Sequence, residues 1–151
     1  MPLAARDVMP LVLAAVPSFQ EKWDQEVRED WADEESPGGR LGYMDAGEVV
    51  RHAVDLLAAG QRAEVAALFA IVERLHLEGD DYVQELATIG YLEVFQNALD
   101  RHPALTHDDV LPLLGKESRK WWRAVERFWS GESPAVRLEK HRRKAARKRP
   151  S

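Results

Sequence analysis

Apolar residues in this chain recur every three or four positions, in segments that open on capping residues and close on glycine, and almost nowhere do they alternate. That spacing draws a stripe down one face of an α-helix, whereas a half-buried strand needs a period of two. No Asn-Gly or Asp-Gly dipeptide marks a hairpin turn. The sequence therefore predicts an all-α fold, a compact helical bundle of about six to seven helices.

The first apolar run, Met9 to Val16, is short, interrupted by Pro10 and preceded by an Arg6 that Asp7 offsets. It reads as a helix with Pro10 in or near its opening turn rather than as a signal-peptide core. Ser18 with Glu21 forms a capping-box pattern ahead of Phe19, Trp23, Val27 and Trp31. A loop centred on Ser36-Pro37-Gly38-Gly39 follows. Asp45 with Glu48 looks like a second cap, opening a helix with Val49, Ala53, Leu56 and Leu57 inward and Gly60 at its left-handed end. Val65, Leu68, Phe69, Val72 and Leu75 line the next helix up to Gly79. The segment from Asp81 to Leu99 is apolar on several sides, which predicts a central helix packed all round.

His102-Pro103 interrupts the chain, and Thr106 with Asp109 predicts a short helix through Leu114. After Gly115, Trp121, Trp122, Val125, Phe128 and Trp129 supply the bulky face of a last domain helix. Gly60 and Gly79 stand a helix apart, so a helix pair fills about 40 residues, the period of HEAT-type hairpins. Too few such pairs are visible for a solenoid, and the bundle is expected to carry HEAT-like hairpins only locally.

A chain of 151 residues buries enough surface, roughly 68–70% of that of its unfolded form, to need no metal or disulfide. It has no cysteine, which removes thiol nucleophiles and Cys-based zinc sites and fits a cytoplasmic location. No run approaches the roughly 20 apolar residues that span a bilayer, so no membrane partner is expected.

Charge divides the chain into an acidic helical domain, 1–132, and a basic tail, 133–151. From Arg137 onward there are eight basic residues against one acidic, a formal +7; the remainder holds 13 basic and 25 acidic residues, or −12. The tail cations are Arg137, Lys140, Arg142, Arg143, Lys144, Arg147, Lys148 and Arg149. They suit a solubilising tail, a phosphate contact with nucleic acid, or docking onto an acidic surface. On the acidic side, Glu26, Glu29, Asp30, Asp33, Glu34 and Glu35 run off a helix end, where negative charge opposes the macrodipole by about a few tenths of a kcal/mol per residue. A cluster held against local stability suggests a basic partner surface.

Catalytic motifs are missing: there is no G-x-S-x-G elbow, G-x-G-x-x-G loop, H-E-x-x-H helix or EF-hand loop. Glu73-x-x-His76, with Glu93 on a neighbouring helix, is half of a carboxylate-bridged metal pattern. The other histidines lack the matching Glu, so no metal and no cofactor is expected. Four of the five tryptophans fall on core stripes. Trp121 and Trp122 point about 100° apart, so one of them reaches an edge, and Trp121 is the candidate binding residue.

Pro17-x-Phe19, Trp23, Asp30-Trp31, Phe69-x-x-Val72-Glu73 and Gly90-Tyr91-Leu92-Glu93, with Gly115-x-Glu117-Ser118-Arg119-x-x-Trp122 and Glu126-x-Phe128-Trp129, resemble a bacterial family of small acidic helical proteins known as a domain of unknown function. The resemblance runs from about Leu11 to Gly131 and implies no activity. Small acidic helical proteins of this kind also look similar to immunity proteins and antitoxins. The expectation is a non-enzymatic protein-binding module, with a nucleic-acid accessory protein acting through the tail as the alternative.

Overall fold

Seven α-helices, joined by 3-10 and π-helical turns, form the framework of the described residues, 1–27 and 40–130 of the computed structural model. They are α1 (Ala5–Ala15), α2 (Gln20–Lys22), α3 (Arg40–Ala58), α4 (Ala63–Glu78), α5 (Asp81–Glu85), α6 (Val94–Asp100) and α7 (Lys116–Ser130). A 3-10 turn, Pro17–Phe19, leads into α2, and a π-helical turn, Trp23–Val27, follows it. Between α5 and α6 the chain runs on as π-helix, Leu86–Glu93, so that residues 81–100 form one helical rod.

That rod is the centre of the bundle. All eight residues of its π-helical stretch are buried, and α3, α4 and α7 pack against it on different sides. A helix apolar nearly all round can satisfy its surface in no other way. Asp80 opens the rod, accepting the Val83 N–H at 2.9 Å. Val65, Leu68, Phe69, Val72 and Leu75 of α4 are fully buried, as their spacing predicts, and so are Val49 and Ala53 of α3. Leu57 is also buried, with Leu56 packed at the core's edge.

Two glycines hold corners. Gly60 has φ +79°, and the Gln61 N–H reaches Leu56 O at 2.9 Å while the Gly60 N–H reaches Leu57 O at 3.0 Å. This is a Schellman closure, in which two last-turn carbonyls are satisfied by a left-handed residue. Gly79 ends α4 in extended conformation, where a Cβ would sit 2.5 Å from Leu75 O and from Val83 Cγ1. Leu3 clips onto this corner: its N–H donates to Glu78 O and its carbonyl accepts from the Asp80 N–H, both at 2.8 Å.

Several local expectations need correcting. Pro10 sits mid-way along α1, which opens earlier, at Ala5, with the Ala4 N–H held by Asp7 Oδ2 at 2.8 Å. Ser18 does not cap its own helix. Its hydroxyl meets His52 Nε2 at 2.7 Å and its N–H donates to Glu64 Oε1 at 2.9 Å, so tertiary partners replace the local box. Asp45 is interior to α3, which starts at Arg40, and is buried rather than capping. Thr106–Leu114 forms two 3-10 turns, His107–Asp109 and Leu111–Leu113, not an α-helix. Pro112 has no N–H for an α-helical bond, although Asp109 Oδ2 still accepts the Thr106 N–H at 2.8 Å. Trp129, assigned to the inward face, is 57% exposed, whereas Trp122 is completely buried.

Candidate functional site

Where α4, the central rod and α7 meet, polar side chains converge in the interior. Glu73 projects from α4 to the start of α7, and its carboxylate accepts the N–H groups of Glu117 at 3.0 Å and Ser118 at 2.8 Å. These are first-turn amides without intrahelical partners, so Glu73 acts as an N-cap supplied by another helix. Burial raises the Glu73 carboxyl, but the hydrogen bonds from Glu117 and Ser118 outweigh it and leave its pKa lowered. One turn on, the ring nitrogens of His76 stand 3.1 Å from Ser118 Oγ and 3.0 Å from Thr88 Oγ1.

A serine, a histidine and a carboxylate in contact have the composition of a hydrolytic triad, but not the geometry. Ser118 is fully buried and His76 nearly so. The second ring nitrogen meets a hydroxyl rather than the orienting carboxylate of a triad. The arrangement ties three helices together. It also accounts for the Glu73-x-x-His76 pattern, whose two side chains are committed to α7 and the rod. Glu93 is buried in the π-helical stretch. Among the described residues no group of three or more His, Asp or Glu is placed to hold a metal ion.

A second polar corner joins α3 to the rod. Burial, with Glu48 adding to it, pushes Asp45 up from 3.8 to about 6, and its Oδ1 has no hydrogen-bond partner. Burial and the nearby carboxylates of Asp45, Glu85 and Asp80 raise the Tyr82 phenol to about 12. Near the opposite end of the rod, His107 lies between Glu126 Oε2 at 2.5 Å and Asp100 Oδ1 at 2.8 Å, edge-on to the buried Trp122 ring. Asp100, His102, Thr106, His107 and Asp108 rim an open surface pocket there.

The residues singled out from the sequence fare unequally. Trp121 is half-buried at the edge of α7; its indole N–H donates to Glu117 Oε1 at 3.1 Å, and Lys120 Nζ lies 5.2 Å from its ring centre. Glu26 falls on the π-helical turn after α2, but its side chain, like the whole of Glu29, Asp30, Asp33, Glu34 and Glu35, lies outside the described residues. The same holds for all eight tail cations, Arg137 to Arg149. Sequence reading missed the interhelical cap. Its only trace was a Glu-x-x-His pair on α4 far from a Gly-x-Glu-Ser helix start, with nothing to say that the two touch.

A bundle built round a buried central rod, with polar side chains tying its helices together, defines an all-α domain. The chain belongs to the family described as a domain of unknown function (DUF7674), whose pattern matches residues 9–130. Among curated proteins and among solved structures, none matches it. No helix among the described residues is long and apolar enough to cross a membrane.

Proposed function

We propose that this chain is a cytoplasmic, non-enzymatic protein-binding module of the immunity or antitoxin kind, which covers a basic partner with its acidic face. The placement of its carboxylates supports this reading. Among those whose side chains are described, only Asp45, Glu85 and Glu93 are buried, and the rest reach the surface wholly or in part. Residues 1–115 hold 22 acidic and eight basic residues, a formal −14. A field of that sign speeds encounter with a basic surface and repels acidic competitors.

The test is kinetic. A basic protein captured from the native host by the tagged chain is purified, and its association rate is measured at low ionic strength. Neutralising Glu26, Glu29, Asp30, Asp33, Glu34 and Glu35 with Gln and Ser should slow association by about tenfold or more, the range over which steering acts. An unchanged rate contradicts the reading.

A further inference from the structure

Positive charge on α7 is lined up. Lys116, Lys120, Arg123 and Arg127 recur at steps of four, three and four residues, which brings them onto one helix face. All four are exposed, in a row about 16 Å long at 1.5 Å per residue. The two carboxylates of α7 are drawn to its flanks. Glu117 accepts the Trp121 indole N–H and Glu126 the Trp122 indole N–H, both at 3.1 Å. Their remaining ion pairs, to Lys120 at 3.6 Å and Arg123 at 3.3 Å, are at the surface and weak enough for a phosphate to displace. Arg119, beside the row, is already used: it donates to the carbonyls of Leu111 and Leu114. With the sequence that follows, residues 116–151 hold 13 basic and four acidic residues, a formal +9.

We infer that the exposed face of α7 is a docking surface for the phosphate backbone of double-stranded nucleic acid. A straight row of cations calls for a polyanion. A duplex offers one negative charge per about 1.7 Å of axis, counting both strands, so roughly nine phosphates fall within the length of the row for the four cations to draw on. A single strand is the poorer fit, because its binding depends on aromatic platforms. The row contains no aromatic residue; the adjacent Trp122 is buried and Trp121 half-buried beneath Lys120. The acidic body does not forbid the contact. Fields from carboxylates further off than the screening length, about 8 Å at physiological ionic strength, are largely damped. Lys and Arg contacts to phosphate carry no sequence information, so the binding is non-specific. This surface is independent of the acidic one and stands or falls separately.

The experiment is fluorescence anisotropy with the full-length protein, a labelled duplex of about 30 base pairs and the matching single strand, between about 50 and 200 mM salt. Replacing Lys116, Lys120, Arg123 and Arg127 by Gln should weaken duplex binding at least tenfold at the lower salt. It should also reduce the slope of log K against log salt by about 3–4, since each phosphate contact contributes about 0.9. If the fourfold variant fails to fold, Lys116→Gln with Arg127→Gln should lower the slope by about 2. Unchanged affinity and slope, absence of duplex binding by the unaltered protein, or tighter binding of the single strand would each overturn the inference.

Discussion

Glu73 fastens the start of α7 from another helix, and two charge-assisted hydrogen bonds depend on it. Glu73→Ala should lower stability by about 2–3 kcal/mol, and Glu73→Gln, which keeps one acceptor oxygen, by about half as much. The pKa of this carboxyl is lowered in the folded state, so its stabilisation is complete above the unfolded value and is lost as pH falls through the folded one. Denaturant melts should therefore show the Glu73→Gln penalty at pH 7 and a shrinking penalty in acid. Asp45 behaves oppositely. Its pKa is raised from 3.8 to about 6, so ionising it opposes folding, an effect absent below the lower value and complete above the upper one. Asp45→Asn should stabilise the protein at pH 7 by about 1–2 kcal/mol, less than the 1.36 kcal/mol per pKa unit of a fully buried group because solvent screens part of it, and make no difference near pH 3. A destabilised Asp45→Asn at pH 7 would mean that the charged form has a partner.

At the scale of elements, the entry to α7 is a joint of two parts. A Cβ on Gly115 would fall 2.7 Å from Glu73 Cγ and overlap the carboxyl carbon. Gly115→Ala should thus displace the cap, and in a double-mutant cycle with Glu73→Ala the two losses should be clearly less than additive. Additive losses would show that Gly115 acts elsewhere. Trp129→Ser should change stability by less than about 0.5 kcal/mol, while Trp122→Ala should cost about 3–5 kcal/mol. Both tryptophans lie on the apolar side of α7, yet only the structure shows that the last turn leaves Trp129 more than half exposed. Where the stripe is strong, as in α4, sequence period alone identified the buried residues, and in the rod its absence, with apolar residues on every side, identified the central helix. The local caps at Ser18 and Asp45 were misread because the same side chains found tertiary partners or burial, which neighbouring residues do not encode. The clamp was illegible for the same reason: Glu73 and Ser118 are 45 positions apart and meet only after α7 has packed on α4.

Across the whole molecule, helix boundaries relocate the charge division. Counting by composition places it near Arg137, but the exposed row on α7 moves the change of sign back to Lys116, leaving −14 before it and +9 from there on. If the proposed function and the inferred α7 surface both hold, the two charge blocks address partners of opposite sign, each by long-range attraction that salt weakens. The most direct test is a matched purification from the native host, with captured proteins identified and nucleic acid quantified. It compares the full-length protein with two full-length variants, one neutralised at Glu26 to Glu35 and one at Lys116, Lys120, Arg123 and Arg127. The account predicts that the first variant loses a basic protein partner and keeps nucleic acid, and that the second does the reverse. If the acid-neutralised variant holds the same protein partner as strongly as the unaltered chain at low salt, the acidic face is not the binding face and the proposed function is wrong.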